Sequence, residues 1–129
     1  MNRKIKFRGK RKDNKKWIHG DLLSFNNEYE ICDHNTIDGS RYDVVPATIG
    51  QFTGLYDNGG KEVYEGDIVE FKVIGMDTKK VMERIGVVVF RNGEFIVTRN
   101  GVAYIIYSVF NGGASVISNI IDNPELIKN

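Results

Sequence analysis

An all-β fold is what this sequence predicts, and three observations carry the prediction. From Gly66 onward the chain is a succession of short runs rich in Val, Ile, Phe and Tyr, at residues 67–74, 81–90, 94–99, 102–110 and 115–121. Asn92-Gly93 and Asn100-Gly101 lie between three of those runs, and Asn-Gly supplies the two positive-φ positions that a type I′ hairpin turn needs. Fourteen glycines against two prolines give many tight turns and no proline-rich linker. The expected architecture is an N-terminal β-hairpin lobe followed by a C-terminal SH3-like or partly open β-barrel, with a short C-terminal helix. At 129 residues the chain fits one domain over 1–129, with the hairpin lobe at 1–60 and the small barrel at 61–129.

Taken in order, Lys4-Ile5-Lys6-Phe7-Arg8 alternates polar and apolar, which puts Ile5 and Phe7 on one strand face and the basic side chains on the other. Asp13-Asn14 supplies a turn, and residues 17–23 return as the second strand. Residues 28–34 alternate again. Residues 35–43 read as a polar loop, and Val44-Val45 is extended before Pro46. Residues 76–84 have too few apolar positions for an amphipathic helix and read as a hairpin tip with its flanking strand. Asn123-Pro124 pairs an N-cap with proline at the first helical position, favouring one or two helical turns at the C-terminal end.

Hydrophobic residues at 41% and charged residues at 27% are those of a chain that folds. No apolar run approaches the roughly 20 residues that span a bilayer, and the N-terminus has no secretory h-region. Cys32 is a single cysteine without a partner for an internal disulfide. We therefore expect a cytoplasmic protein with no membrane partner. The net charge of +1 hides a polarity. The first sixteen residues hold nine basic side chains against one acid, or +8, and the remainder holds nine against sixteen, or −7. Such polarity points to an anionic ligand for the arm or to an acidic protein surface that receives it.

Two passages share a plan. Phe7-x-Gly9, Asp13-Asn14, Lys15, Trp17 and Gly20-Asp21 align with Phe52-x-Gly54, Asp57-Asn58, Lys61, Val63 and Gly66-Asp67. A duplicated hairpin gives this match, and so does the small vocabulary of turn chemistry. "IKFRGKRKDNKKWIHGDLL", "IGQFTGLYDNGGKEVYEGDIVEF" and "VISNIIDNPELI" also resemble the three blocks of the YopX family, proteins encoded by bacterial phages and prophages. The resemblance spans nearly the whole chain in order. It implies a mostly β, cytoplasmic protein of the host bacterial cell, phage-derived and oligomeric, with no catalytic residues to carry over.

Chemical candidates are few. Glu28, Glu30, Cys32 and His34 share a strand face and are metal-ligand types, but two-residue steps of about 7 Å spread them too widely for one ion. Glu65, Asp67 and Glu70 could pair as carboxylates, yet Asp67 after glycine is more simply a turn residue, and His19 beside Gly20 a strand-end one. No nucleophile arrangement and no phosphate-binding glycine loop stands out. We expect no enzyme, no cofactor and no metal. The contact candidates are Lys4, Lys6, Arg8, Lys10, Arg11, Lys12, Lys15 and Lys16, with Trp17 as a stacking surface. They serve a non-enzymatic binding or regulatory module that forms a homo-oligomer or engages a phage or host protein. The alternative is a nucleic-acid-binding protein that uses the same basic hairpin.

Overall fold

The alternation at the N-terminus resolves into paired strands. The computed structural model describes residues 3–127, and nearly all of their regular structure is antiparallel β. The chain divides into two compact units, Met1–Gly54 and Leu55–Asn129.

The first unit holds β1 (Phe7–Lys10), β2 (Trp17–Phe25), β3 (Glu28–Asp33), β4 (Arg41–Asp43) and the start of β5 (Gly50–Tyr56). Their order is β4-β3-β2-β1-β5. The register sets Phe7 opposite Gly20, Arg8 opposite His19, Lys10 opposite Trp17 and Leu22 opposite Ile31. Because successive side chains point to opposite faces, Phe7, Ile18, Leu22, Ile31 and Tyr42 fall on one side. With Val44 and Ile49 they form the unit's hydrophobic cluster. Asn26 and Asn27, at φ 51° and 65°, make a β2–β3 turn that the sequence reading passed over. β4 lies inside the stretch read as a loop, where Tyr42 pairs with Ile31. Three residues are too few to show a period. Gly20 sits where a Cβ would stand 1.8 Å from the Cys32 carbonyl oxygen, so only glycine lets β2 and β3 pair there.

The second unit holds the end of β5 at Tyr56, β6 (Glu62–Tyr64), then β7 (Asp67–Ile74), β8 (Val81–Arg91), β9 (Glu94–Arg99), β10 (Val102–Ile105) and β11 (Ser115–Asn119). The last five form a sheet in the order β10-β9-β8-β7-β11. The sheet is open, with β10 and β11 at its edges, and among the described residues no barrel closes. Asn92-Gly93 (φ 52° and 84°) and Asn100-Gly101 (49° and 80°) form the two expected turns. Residues 75–80 form the expected hairpin tip, where Gly75 N–H donates to the Lys80 carbonyl at 2.9 Å.

A second element, after β4, differs from expectation. Residues 102–110 read as a single strand, but the chain leaves β10 at Ile105 and enters α1 (Ile106–Asn111). Its apolar residues Ile106, Val109 and Phe110 recur at helical spacing and pack onto the cluster of Val63, Val69, Phe71, Val88, Val97 and Ala114. Their β-branched and aromatic composition resembles that of a strand, which hides the period. The C-terminal helix is one 3-10 turn, Pro124–Ile127, with Asn123 Nδ2 donating to Glu125 Oε1 at 3.0 Å.

Candidate functional site

The nine basic side chains of the arm separate into two groups. Lys6, Arg8 and Lys10 share the face of β1 turned away from the cluster, and each lies over an aromatic ring of its own unit. Arg8 Cζ is 4.8 Å and Lys10 Nζ 5.5 Å from the centre of Trp17, while Lys6 Nζ is 5.8 Å from that of Phe52. Arg8 is only 8% exposed. Lys10 N–H also donates to Thr48 Oγ1 at 2.9 Å, which holds β1 to the turn before β5. Arg11 Cζ lies 3.8 Å from the centre of the Tyr42 ring, and the guanidinium grips Asp13 through two bonds, Nε to Oδ1 at 2.9 Å and Nη2 to Oδ2 at 2.5 Å. That fork raises the pKa of Arg11 and holds the Asp13 carboxyl below its ordinary value.

The second group is Lys4, Lys12, Lys15 and Lys16 with Arg3, all exposed. Three of these lysines crowd the β1–β2 turn. Lys15 adopts φ 59°, Lys16 N–H donates to Asn14 Oδ1 at 2.9 Å, and Lys15 Nζ donates to the Lys12 carbonyl at 3.2 Å. The acid of this turn, Asp13, is already held by Arg11. The turn therefore carries three exposed lysines, and the one acid within it is already paired with Arg11.

The other sequence candidates do not converge. Glu28, Glu30 and Cys32 share a face of β3, but Cys32 Sγ contacts the Gly39 carbonyl at 3.3 Å and His34 Nε2 lies 3.0 Å from Asp21 Oδ1. Among the described residues no group of three His, Cys, Asp or Glu could hold a metal ion. Asp67 is buried and accepts the Tyr64 N–H at 2.7 Å, as a turn residue does. Glu70 follows it at an odd step along β7, so the two carboxylates leave opposite faces of the strand.

The model of the YopX protein family matches residues 6–128. The chain belongs to that family. The solved structure of protein EF1440 from Enterococcus faecalis has a similar fold, with a TM-score of 0.64 and 22% identity over 98% of this chain and 100% of that one. Among curated proteins no sequence matches. No helix among the described residues is long and apolar enough to cross a membrane.

Within the two YopX blocks that share a plan, equivalent residues do different work. Gly54, inside β5, and Gly66, in the turn before β7, have positive φ of 88° and 94°, whereas Gly9 and Gly20 are strand glycines that allow close approach. Asn14 caps the first turn. In the second the role passes to Asp57, whose Oδ1 accepts from Gly59 and Lys61 N–H at 2.9 Å each and whose Oδ2 accepts from Val116 N–H at 3.0 Å. Asn58 N–H donates to the Ala114 carbonyl at 3.0 Å, so this YopX turn is sewn to β11. Partial burial pushes the Asp57 carboxyl up, but the amides of Val116, Lys61 and Gly59 outweigh it and leave the pKa lowered. Sequence reading missed Tyr42, Thr48 and Phe52 as partners of the basic face. They lie about thirty or more residues from their cations, and no local pattern links them.

Proposed function

We propose that the chain is a phage- or prophage-encoded, non-enzymatic binding or regulatory module that acts through its surfaces and self-associates. The observation that carries this reading is the tip at Lys12, Lys15 and Lys16, three exposed cations whose nearby acid is bound to Arg11. The chain beyond residue 16 carries −7, so a second copy offers the tip an acidic surface. Light scattering after size exclusion tests it. The module runs as an oligomer at low salt and shifts toward monomer at about 1 M salt, where the screening length falls to roughly 3 Å. A monomer at every salt concentration contradicts the reading.

A second reading uses the same ammonium groups against a phosphate backbone, with affinity falling steeply as salt rises. The exposed lysine tip favours it. The half-buried Trp17 ring, already stacked with Arg8 and Lys10, does not extend that tip into a base-stacking platform. Fluorescence anisotropy with labelled single- and double-stranded DNA separates the two. On the self-association reading neither DNA binds more tightly than it binds to the Lys12→Ala, Lys15→Ala, Lys16→Ala triple variant.

A further inference from the structure

Strand β8 is longer than the neighbour that covers it. β7 pairs with β8 from Val81 to Val87, but β9 pairs with it only from Val87 to Arg91. Beyond Arg99 the chain turns at Asn100-Gly101 into β10, on the far side of β9. Among the described residues no strand lies beside residues 82–86 of β8 on the β9 side, so alternate backbone N–H and C=O groups there face an open position.

That open position is a recess of about 360 Å³, lined by residues 83–87 of β8, residues 98–100, and Leu126 and Ile127. Ile85, Val87 and the last turn supply its apolar wall, on the sheet face opposite to that of Arg84 and Arg99. Its cations are Arg84 and Arg99, both half-buried. Arg84 Nη1 donates to the Glu83 carbonyl at 3.0 Å and Nη2 to Met82 Sδ at 3.2 Å. Among the described residues neither guanidinium is in an ion pair. Two guanidinium groups drawn partly out of water without a carboxylate are costly until an anion arrives, and arginine's planar fork suits a carboxylate in particular. Glu83, exposed at the rim, disfavours a second acid beside it and so limits the charge the recess accepts.

We propose that this recess is a strand-addition site: an extended segment of a partner protein pairs with residues 82–86 of β8, sets an Asp or Glu side chain between Arg84 and Arg99, and lays alternate apolar side chains on Ile85, Val87 and Leu126. Main-chain pairing supplies affinity and the arginine pair supplies selectivity. The site lies wholly in the second unit and stands independently of the lysine tip.

Selection of a displayed library of random seven-residue peptides on the full chain tests it. Enriched peptides carry one central Asp or Glu flanked at alternate positions by Val, Ile or Thr. On the Arg84→Glu, Arg99→Glu double variant the central preference reverses to Lys or Arg, a gained signal that an unfolded variant cannot give. An enriched peptide made synthetically protects the amides of residues 82–86 from hydrogen exchange and loses at least tenfold in affinity when its acid becomes Gln. No enrichment, enrichment indifferent to charge, or an unreversed preference on the folded double variant overturns the proposal. So does equal protection of those amides by glutarate alone, which makes the recess a small-anion site. The oligomeric state of the double variant at low salt separates this outcome from failure of the self-association reading, since neither arginine belongs to the tip.

Discussion

At Gly20 and Gly101 the same residue type answers two different demands. A Cβ at Gly20 meets the backbone of Cys32 at 1.8 Å, whereas at Gly101 it meets nothing within 4 Å and only the φ of 80° resists it. Gly20→Ala is expected to cost about 3 kcal/mol or to unfold the first unit, and Gly101→Ala about 1 kcal/mol. Urea melts followed by tryptophan fluorescence and far-UV dichroism rank the two. Asp57 carries a pH-dependent contribution. Its carboxyl is held below the ordinary value, so the stability it confers is fully present above the unfolded pKa of about 3.9 and is lost as the pH falls through the lower folded value. Asp57→Asn keeps one acceptor but cannot satisfy three amides, and should cost about 2 kcal/mol at pH 7. Thermal melts of the variant and the parent should converge near pH 2; a gap that stays constant with pH contradicts the assigned role.

Among the elements, α1 offers the sharpest contrast between readings. In a strand, Tyr107 and Val109 would share a face; in the helix Val109 is buried and Tyr107 is 67% exposed. Val109→Ala should cost about 2 kcal/mol and Tyr107→Ala less than about 0.5 kcal/mol. Equal costs restore the strand. The hairpins around Asn92-Gly93 and Asn100-Gly101 were legible because their turn chemistry is local to two residues. α1 was not, because six residues rich in Ile, Tyr, Val and Phe look like a strand until the rest of the sheet selects the face they bury. The same limit applies at the arm. Its charge was plain in the sequence, but the division into cations stacked on rings and cations left at the tip depends on Tyr42 and Phe52, which only pairing across the sheet brings near. The free half of β8 was equally hidden, since it depends on where β9 ends and not on what β8 contains.

Over the whole molecule, the two units differ in what they bury. Among the described residues the second packs seven buried apolar residues into one cluster and the first packs three. Native-state hydrogen exchange should therefore show the β2–β3 amides opening at lower free energy than those of β7–β8; the reverse order contradicts the clusters as the source of stability. Charge is the other large-scale feature. Nine basic residues stand against one acid in the first sixteen, opposed by an acidic remainder, and on the proposed reading the attraction between these unlike charges draws copies together. Sedimentation velocity on the parent and on the Lys12→Glu, Lys15→Glu, Lys16→Glu variant, at low ionic strength and equal concentration, reads that attraction most directly. The parent should sediment as an oligomer and the charge-reversed tip as a folded monomer; an oligomer that survives the reversal unchanged would mean that the tip does not hold the copies together.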